Sequence, residues 1–291
     1  MPRALVFGGS GQLGDGLLPL LHAAGYEVLA VSRQARAPDD GLRWWVGALD
    51  GALARPSGDF DVVFSLGPLD AFARWQARVG AVAVRVIAFG STSVATKAAA
   101  IDAGERDLAA RLRDAEEDLF ASADRHGFVA TVLRPTLIYG RGRDRTLTRI
   151  AAFAQRRGFF VLPRGATGRR QPVHVDDLAA AAVTLAQAPA LTNRAYDLPG
   201  GETIAFDAMV QRLLDCLPRR PRLRRLPMPL FRVALLAARG VGAADGIEAG
   251  MLERLQVDQV FDAGDARRDF GYAPRPFAPT PAMFGVGGVD S

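Results

Sequence analysis

The chain predicts an α/β protein built on a doubly wound parallel sheet. Two patterns carry this prediction. Apolar, strand-length runs alternate with helix-compatible segments over about the first 135 residues. The first run also passes through a glycine-rich turn directly into an apolar face of helical spacing. Composition agrees: 291 residues, 49% hydrophobic and 23% charged, describe a globular chain. That length buries one large domain, or a large and a small one.

Ala4–Phe7 is the first strand, and Leu13, Leu17, Leu18, Leu20 and Leu21 mark the first helix. Between them lies Gly8-Gly9-Ser10-Gly11-Gln12-Leu13-Gly14. Gly8 permits a tight turn, Gly11 admits a pyrophosphate close to the backbone, and Gly14 lets the helix pack near the strand. Free N–H groups at the helix start then face the phosphates, with Ser10, Gln12 and Leu13 beside them. A Walker-type loop is a poor fit, because Asp15-Gly16 stand where Lys and Ser/Thr are required.

Tyr26–Val31 is the second strand and ends in Ser32-Arg33. An acid there would grip adenine ribose hydroxyls. Ser32 and Arg33 instead suit a 2′-phosphate, so NADP is expected over NAD. Trp44–Gly47 is the third strand. Asp61–Gly67 is the fourth, with Leu66 and Gly67 under the cofactor. Arg85–Gly90 is the fifth and delivers Ser91-Thr92-Ser93 at its carboxyl end, where open α/β sheets place their chemistry. A polar-faced helix over Ala109–Ala121 follows. Phe128–Leu133 is the sixth strand, closed by Arg134-Pro135.

The net charge is +5, and Lys97 is the one lysine among 36 basic residues. The arginines are mostly scattered among acids and no reader motif is present, so no specific nucleic-acid partner is expected. Cys216 is the single cysteine, which excludes an intramolecular disulfide and fits a reducing cytoplasm. No leader pattern, transmembrane stretch or metal-ligand spacing is apparent.

The G-x-x-G-x-x-G spacing resembles the short-chain dehydrogenase/reductase superfamily, in its extended NAD-dependent epimerase/dehydratase branch. Three more segments resemble that branch in the right order. They are Arg134-Pro135-Thr136-Leu137-Ile138-Tyr139-Gly140, Gln171-Pro172-Val173-His174-Val175-Asp176-Asp177-Leu178-Ala179, and the closing stretch from Phe261 to Pro274. The resemblance implies a Rossmann-type domain over 1–165, with 173–197 packing back onto it. Ala195–Thr203 then crosses into a smaller substrate lobe, 198–291, joined by part of 160–172. It places Pro135 beside the cofactor and Arg169, Arg170 and His174 toward substrate. It also implies a homodimer, with Ala109–Ala121 contributing.

Members of that branch pair a Ser/Thr with Tyr-x-x-x-Lys. Ser91 falls at the serine position. The tyrosines are Tyr26, Tyr139, Tyr196 and Tyr272, and none has a lysine four residues on. Anchoring on Glu116 and Leu119 puts Leu108 and Leu112 at the Tyr and Lys positions. Tyr139, Lys97, His174 and Asp176 are the candidate substitutes, Tyr139 first. Two functions stay open. One is an atypical NADP-dependent oxidoreductase or epimerase acting on a nucleotide-sugar-like or other alcohol/ketone small molecule. The other is a non-catalytic dinucleotide-binding sensor or scaffold. Pro218–Arg225 carries five arginines and precedes the apolar run Leu226–Ala238. It reads as a peripheral membrane contact, a diphosphate site or an exposed loop.

Overall fold

The computed structural model describes residues 1–49, 53–98, 100, 102–189, 192–240 and 255–286. In chain order the strands are β1 (Arg3–Phe7), β2 (Glu27–Ser32), β3 (Leu42–Val46), β4 (Phe60–Ser65), β5 (Ala83–Phe89), β6 (Val129–Pro135), β7 (Ile138–Tyr139), β8 (Phe159–Pro163), β9 (Arg169–Arg170), β10 (Val173–His174), β11 (Arg194–Leu198), β12 (Ile204–Ala205) and β13 (Arg222–Leu226). The helices are α1 (Gln12–Ala23), α2 (Leu69–Val79), α3 (Ser93–Thr96), α4 (Ala103–His126), α5 (Leu147–Arg157), α6 (Val175–Gln187), α7 (Phe206–Cys216), α8 (Met228–Gly240) and α9 (Gly264–Phe270).

The chain forms two compact units. The first comprises Met1–Thr136, Val175–Leu198 and Asp262–Ala273. Its seven strands are parallel in the order β11-β6-β5-β4-β1-β2-β3, a Rossmann-type doubly wound sheet as expected. Strand segments buried on both faces are apolar, which is why Ala4–Phe7, Val62–Phe64, Val86–Phe89 and Val132–Leu133 read as hydrophobic runs. Helix α1 packs with α6, and α2 packs with α4. Phe7, Phe72 and Trp75 meet in the core, with Phe7–Phe72 centroids 5.5 Å apart and Phe7–Trp75 4.6 Å. The Trp75 indole donates to the Leu53 carbonyl at 3.1 Å, so its one polar atom is satisfied.

Helix α4 is longer than its sequence pattern suggested. It begins at Ala103 because the Asp102 carboxylate accepts from the Glu105 N–H at 2.9 Å. It ends at Gly127, whose φ of 73° is the left-handed cap. The first unit's opening segment ends at Thr136, so 137–165, assigned above to the nucleotide-binding domain, lies in the second unit. Asp262–Ala273, assigned above to the lobe, lies in the first. There Asp269 accepts from Arg194 and from the Tyr196 hydroxyl, each at 2.9 Å.

The second unit comprises Leu137–His174, Pro199–Phe261 and Pro274–Ser291. Its strands form two-stranded pairs: β7–β10 and β8–β13 parallel, β9–β12 antiparallel. Helices α5 and α7 pack together over a core that includes Ile150, Met209 and Leu213. Among the described residues no helix is long and apolar enough to cross a membrane.

Candidate functional site

In the first unit, strand order reverses between β1 and β4, and open α/β sheets place ligands outside the carboxyl ends at such a switch point. Gly8 follows β1 with φ +77°, a conformation side chains disfavour. A Cβ on Gly8 would stand 3.1 Å from the Leu66 carbonyl carbon and 3.2 Å from the Gly67 nitrogen. Leu66 N–H donates to the Phe7 carbonyl at 2.9 Å. The ends of β1 and β4 are therefore stitched together at the two predicted loops.

Gly11 N–H donates to the Gly8 carbonyl at 2.9 Å and closes the glycine turn. Gly11 then serves as N-cap of α1 with no side chain capping it, so the first-turn N–H groups keep their donor capacity. A Cβ on Gly14 would lie 2.6 Å from the Cα of Gly9, inside van der Waals contact. The close approach that requires glycine at 14 is thus with the loop's own backbone. The sequence reading had placed it against the strand. The Gln12 Nε2 is buried and has no acceptor among the described residues. Around a Cβ on Gly67 there is open space. Backbone donors, an orphaned amide donor and an open floor suit an anionic pyrophosphate, so these residues fit a dinucleotide.

At the end of β2, Ser32 is 6% exposed and its Oγ accepts from Gln34 N–H at 3.2 Å, which leaves the hydroxyl proton to donate. Arg33 is exposed.

At the end of β5, the Ser91 hydroxyl donates to Ser93 Oγ at 3.0 Å and accepts from Ser93 N–H at 3.1 Å. Thr92 is anchored to the Pro135 carbonyl by its hydroxyl at 3.1 Å, which ties the Ser91–Ser93 turn to β6. Lys97 follows α3 and pairs with buried Glu105 at 3.6 Å. Helix α4 carries Leu108 and Leu112, both half-buried, on the face it shares with buried Glu105 and Glu116. Glu116 is held by Arg134, whose Nε donates at 2.9 Å and whose Nη2 donates as well. That hydrogen bond raises the Arg134 pKa, while burial raises the carboxyl pKa of Asp197, 3.9 Å from Arg134. Sequence reading named both Glu116 and Arg134 but not their pairing, which joins a helix to a strand with no local link between them.

Asp176 lies in the first unit, in the first turn of α6; Tyr139, His174, Arg169 and Arg170 belong to the second. Tyr139 is wholly buried, with its ring 5.1 Å from His174 and 5.0 Å from Phe277. His174 is 3% exposed. Both side chains, the one read for proton transfer and the other for substrate, are thus buried in the second unit. Arg169 is exposed and gripped by Asp258, Nε to Oδ2 at 2.8 Å, which raises its pKa. Arg170 is buried and donates to the carbonyls of Arg169 and Val257, each at 2.8 Å. Burial lowers its pKa. A substrate phosphate would have to displace these partners. Among the described residues no group of His, Cys, Asp and Glu could hold a metal ion.

Residues 77–198 match the model of the NAD dependent epimerase/dehydratase family. The chain is 32% identical over 104 residues to NADH dehydrogenase [ubiquinone] 1 alpha subcomplex subunit 9, mitochondrial, of Arabidopsis thaliana, covering 35% of this chain and 26% of that protein. It is 25% identical over 152 residues to Uncharacterized protein YbjS of Escherichia coli (strain K12), covering 50% and 45%. The chain thus spans less than half the length of either curated relative. Among solved structures it is similar to MoeE5 in complex with UDP-glucuronic acid and NAD, with TM-score 0.70, 18% identity, and 98% and 97% of the two chains covered. It is also similar to UDP-glucuronic acid 4-epimerase from Bacillus cereus in complex with NAD, with TM-score 0.71, 12% identity, and 98% and 94% covered. At these identities the likeness is one of fold.

Proposed function

We propose that this epimerase/dehydratase-family protein binds an NAD(P)-type dinucleotide with its first unit, prefers NADP, and acts as an atypical oxidoreductase or epimerase. The observation that carries the reading is the Gly8–Gly14 loop at the switch point, with its uncapped helix start and the orphaned Gln12 amide. The loop and Leu66-Gly67 hold the pyrophosphate and the chain beneath it, and Pro135 lies at the nicotinamide end. Ser32 and Arg33 hold the 2′-phosphate. When bound, the dinucleotide supplies a hydride acceptor or donor.

Ser91 holds and polarises the oxygen of an alcohol or ketone, its own orientation set by Ser93. The substrate is a nucleotide-sugar-like molecule or a similar alcohol/ketone. UDP-sugars bound in proteins of the same fold support that class. Proton transfer does not use positions 108 and 112 of α4, because Leu108 and Leu112 have no ionisable group. Lys97, half-buried against Glu105, follows the Ser91–Ser93 turn and moves the proton to or from that oxygen. A cytoplasmic location goes with this reading.

A second reading, a bound dinucleotide that does no chemistry, is favoured by the same two leucines. The likeness to a named subunit of a larger assembly also favours it. The separating experiment follows nicotinamide absorbance of NADPH-loaded and NADP-loaded protein after addition of a metabolite extract, with a boiled-protein control. Protein-dependent oxidation or reduction supports the first reading. Tight binding without redox change supports the second.

A further inference from the structure

The net charge is not spread evenly over the two units. The second unit holds 19 of the 36 basic residues and nine of the 31 acids, a balance of +10, which leaves −5 on the first. The sequence reading of arginines scattered among acids therefore holds for the whole chain but not for its parts.

Within the second unit, β13 reads Arg222-Leu223-Arg224-Arg225-Leu226. Leu226 packs with Phe231 and Leu235 of α8 and with Val161 of β8. Side chains alternate along a strand, so Arg222 and Arg224 share the α8 side of the β8–β13 ribbon with Leu226. Arg225 points to the other side and pairs with Asp207 at 3.1 Å. Arg222 and Arg224 are exposed and have no ion-pair partner among the described residues. Phe159, the register partner of Arg222, is 41% exposed on that same side.

Helix α8 is apolar on its outer arc as well as on its packed one. Phe231 and Leu235 are buried, while Leu230, Val233 and Leu236 are 58%, 65% and 65% exposed. At about 100° per residue these three are contiguous, with Arg232 at the arc's edge. The side chains of Ala234 and 237–240 lie outside the described residues.

We propose that this face of the second unit docks on an anionic lipid bilayer surface. Helix α8 lies in the interface with Leu230, Val233 and Leu236 in the headgroup–acyl boundary, and Arg222, Arg224 and Arg232 meet lipid phosphates. Charge complementarity selects this occupant. A second copy of the unit would bring +10 against +10. A nucleic acid would meet the arginines and leave the apolar arc in water.

The test is flotation of the full chain with vesicles of phosphatidylglycerol and phosphatidylcholine, against phosphatidylcholine alone. The expected result is partition onto the anionic vesicles only, weakening as salt rises. Arg222→Ala with Arg224→Ala lowers the partition coefficient about 25-fold, and Val233→Asp about tenfold or more. Leu230→Gln repeats the second arm should Val233→Asp lower the melting temperature. Each variant is checked for unchanged melting and dinucleotide affinity. Absence of flotation with anionic vesicles overturns the proposal, as does flotation untouched by both apolar variants. Self-association through α8 without vesicle binding, or tight binding of duplex DNA in its place, overturns it too.

Discussion

A Cβ on Gly14 would stand 2.6 Å from the Cα of Gly9 and closer still to its carbonyl, so the first turn of α1 rests directly on the glycine loop. Gly14→Ala therefore loses about 1–3 kcal/mol or more by overpacking against backbone, although alanine favours a helix by about 1 kcal/mol. Gly11→Ala meets only the Gly8 carbonyl, at 3.2 Å, and keeps its fold. Urea unfolding of the two variants should separate them, with only Gly14→Ala shifting the midpoint strongly.

Arg33→Asp should weaken NADPH about tenfold or more and NADH far less, because a charge-assisted hydrogen bond to the 2′-phosphate is replaced by repulsion. Paired titrations of both dinucleotides check this. Equal losses would remove Ser32 and Arg33 from the assignment.

Ser91→Ala should slow turnover and leave dinucleotide affinity unchanged, since the Ser91 hydroxyl is tied only to Ser93. Steady-state rates beside a binding titration test it. Unchanged turnover would exclude Ser91 from the chemistry.

Removing Glu116 leaves the Arg134 guanidinium partly buried, with Asp197 3.9 Å away as its remaining acid. Glu116→Ala is expected to cost about 3 kcal/mol, the low end for a broken buried pair. The double variant with Arg134→Ala should cost less than the two singles summed. Denaturant midpoints provide the comparison.

Tyr196 donates to Asp269 at 2.9 Å, and burial together with that carboxylate pushes its pKa up to about 12 from an ordinary 10. The neutral phenol is the form the fold favours. Its stabilisation is therefore complete below pH 10 and lost as pH rises toward 12. Melting temperatures across that interval should fall more steeply for the wild type than for Tyr196→Phe.

The sheet was legible in the sequence because its strands are buried on both faces and read as apolar runs ending in glycine, serine or proline. The switch-point loops were legible for the same reason, since they follow directly from β1 and β4. The start of α4 carried a readable signal, the Asp102-to-Glu105 cap, outside the more obvious apolar periodicity.

The fates of Tyr139, His174 and Arg170 were not legible. Tyr139 is enclosed by Phe277 and Phe284, and Arg170 is satisfied by Val257, all far along the chain. Nothing local tells a buried tyrosine beside a glycine from a reactive one. The return of Asp262–Ala273 to the first unit likewise depends on Arg194 and Tyr196, some 70 residues earlier. Charge balance by unit could have been counted only once the units were known.

The most direct test of the account is an equilibrium titration of the full chain with NADPH, read by nicotinamide fluorescence, in parallel with Gly11→Ala matched for melting temperature. The account predicts saturable binding at one site per chain in the wild type and its loss in Gly11→Ala. No saturable binding, or equal binding by both proteins, would contradict it.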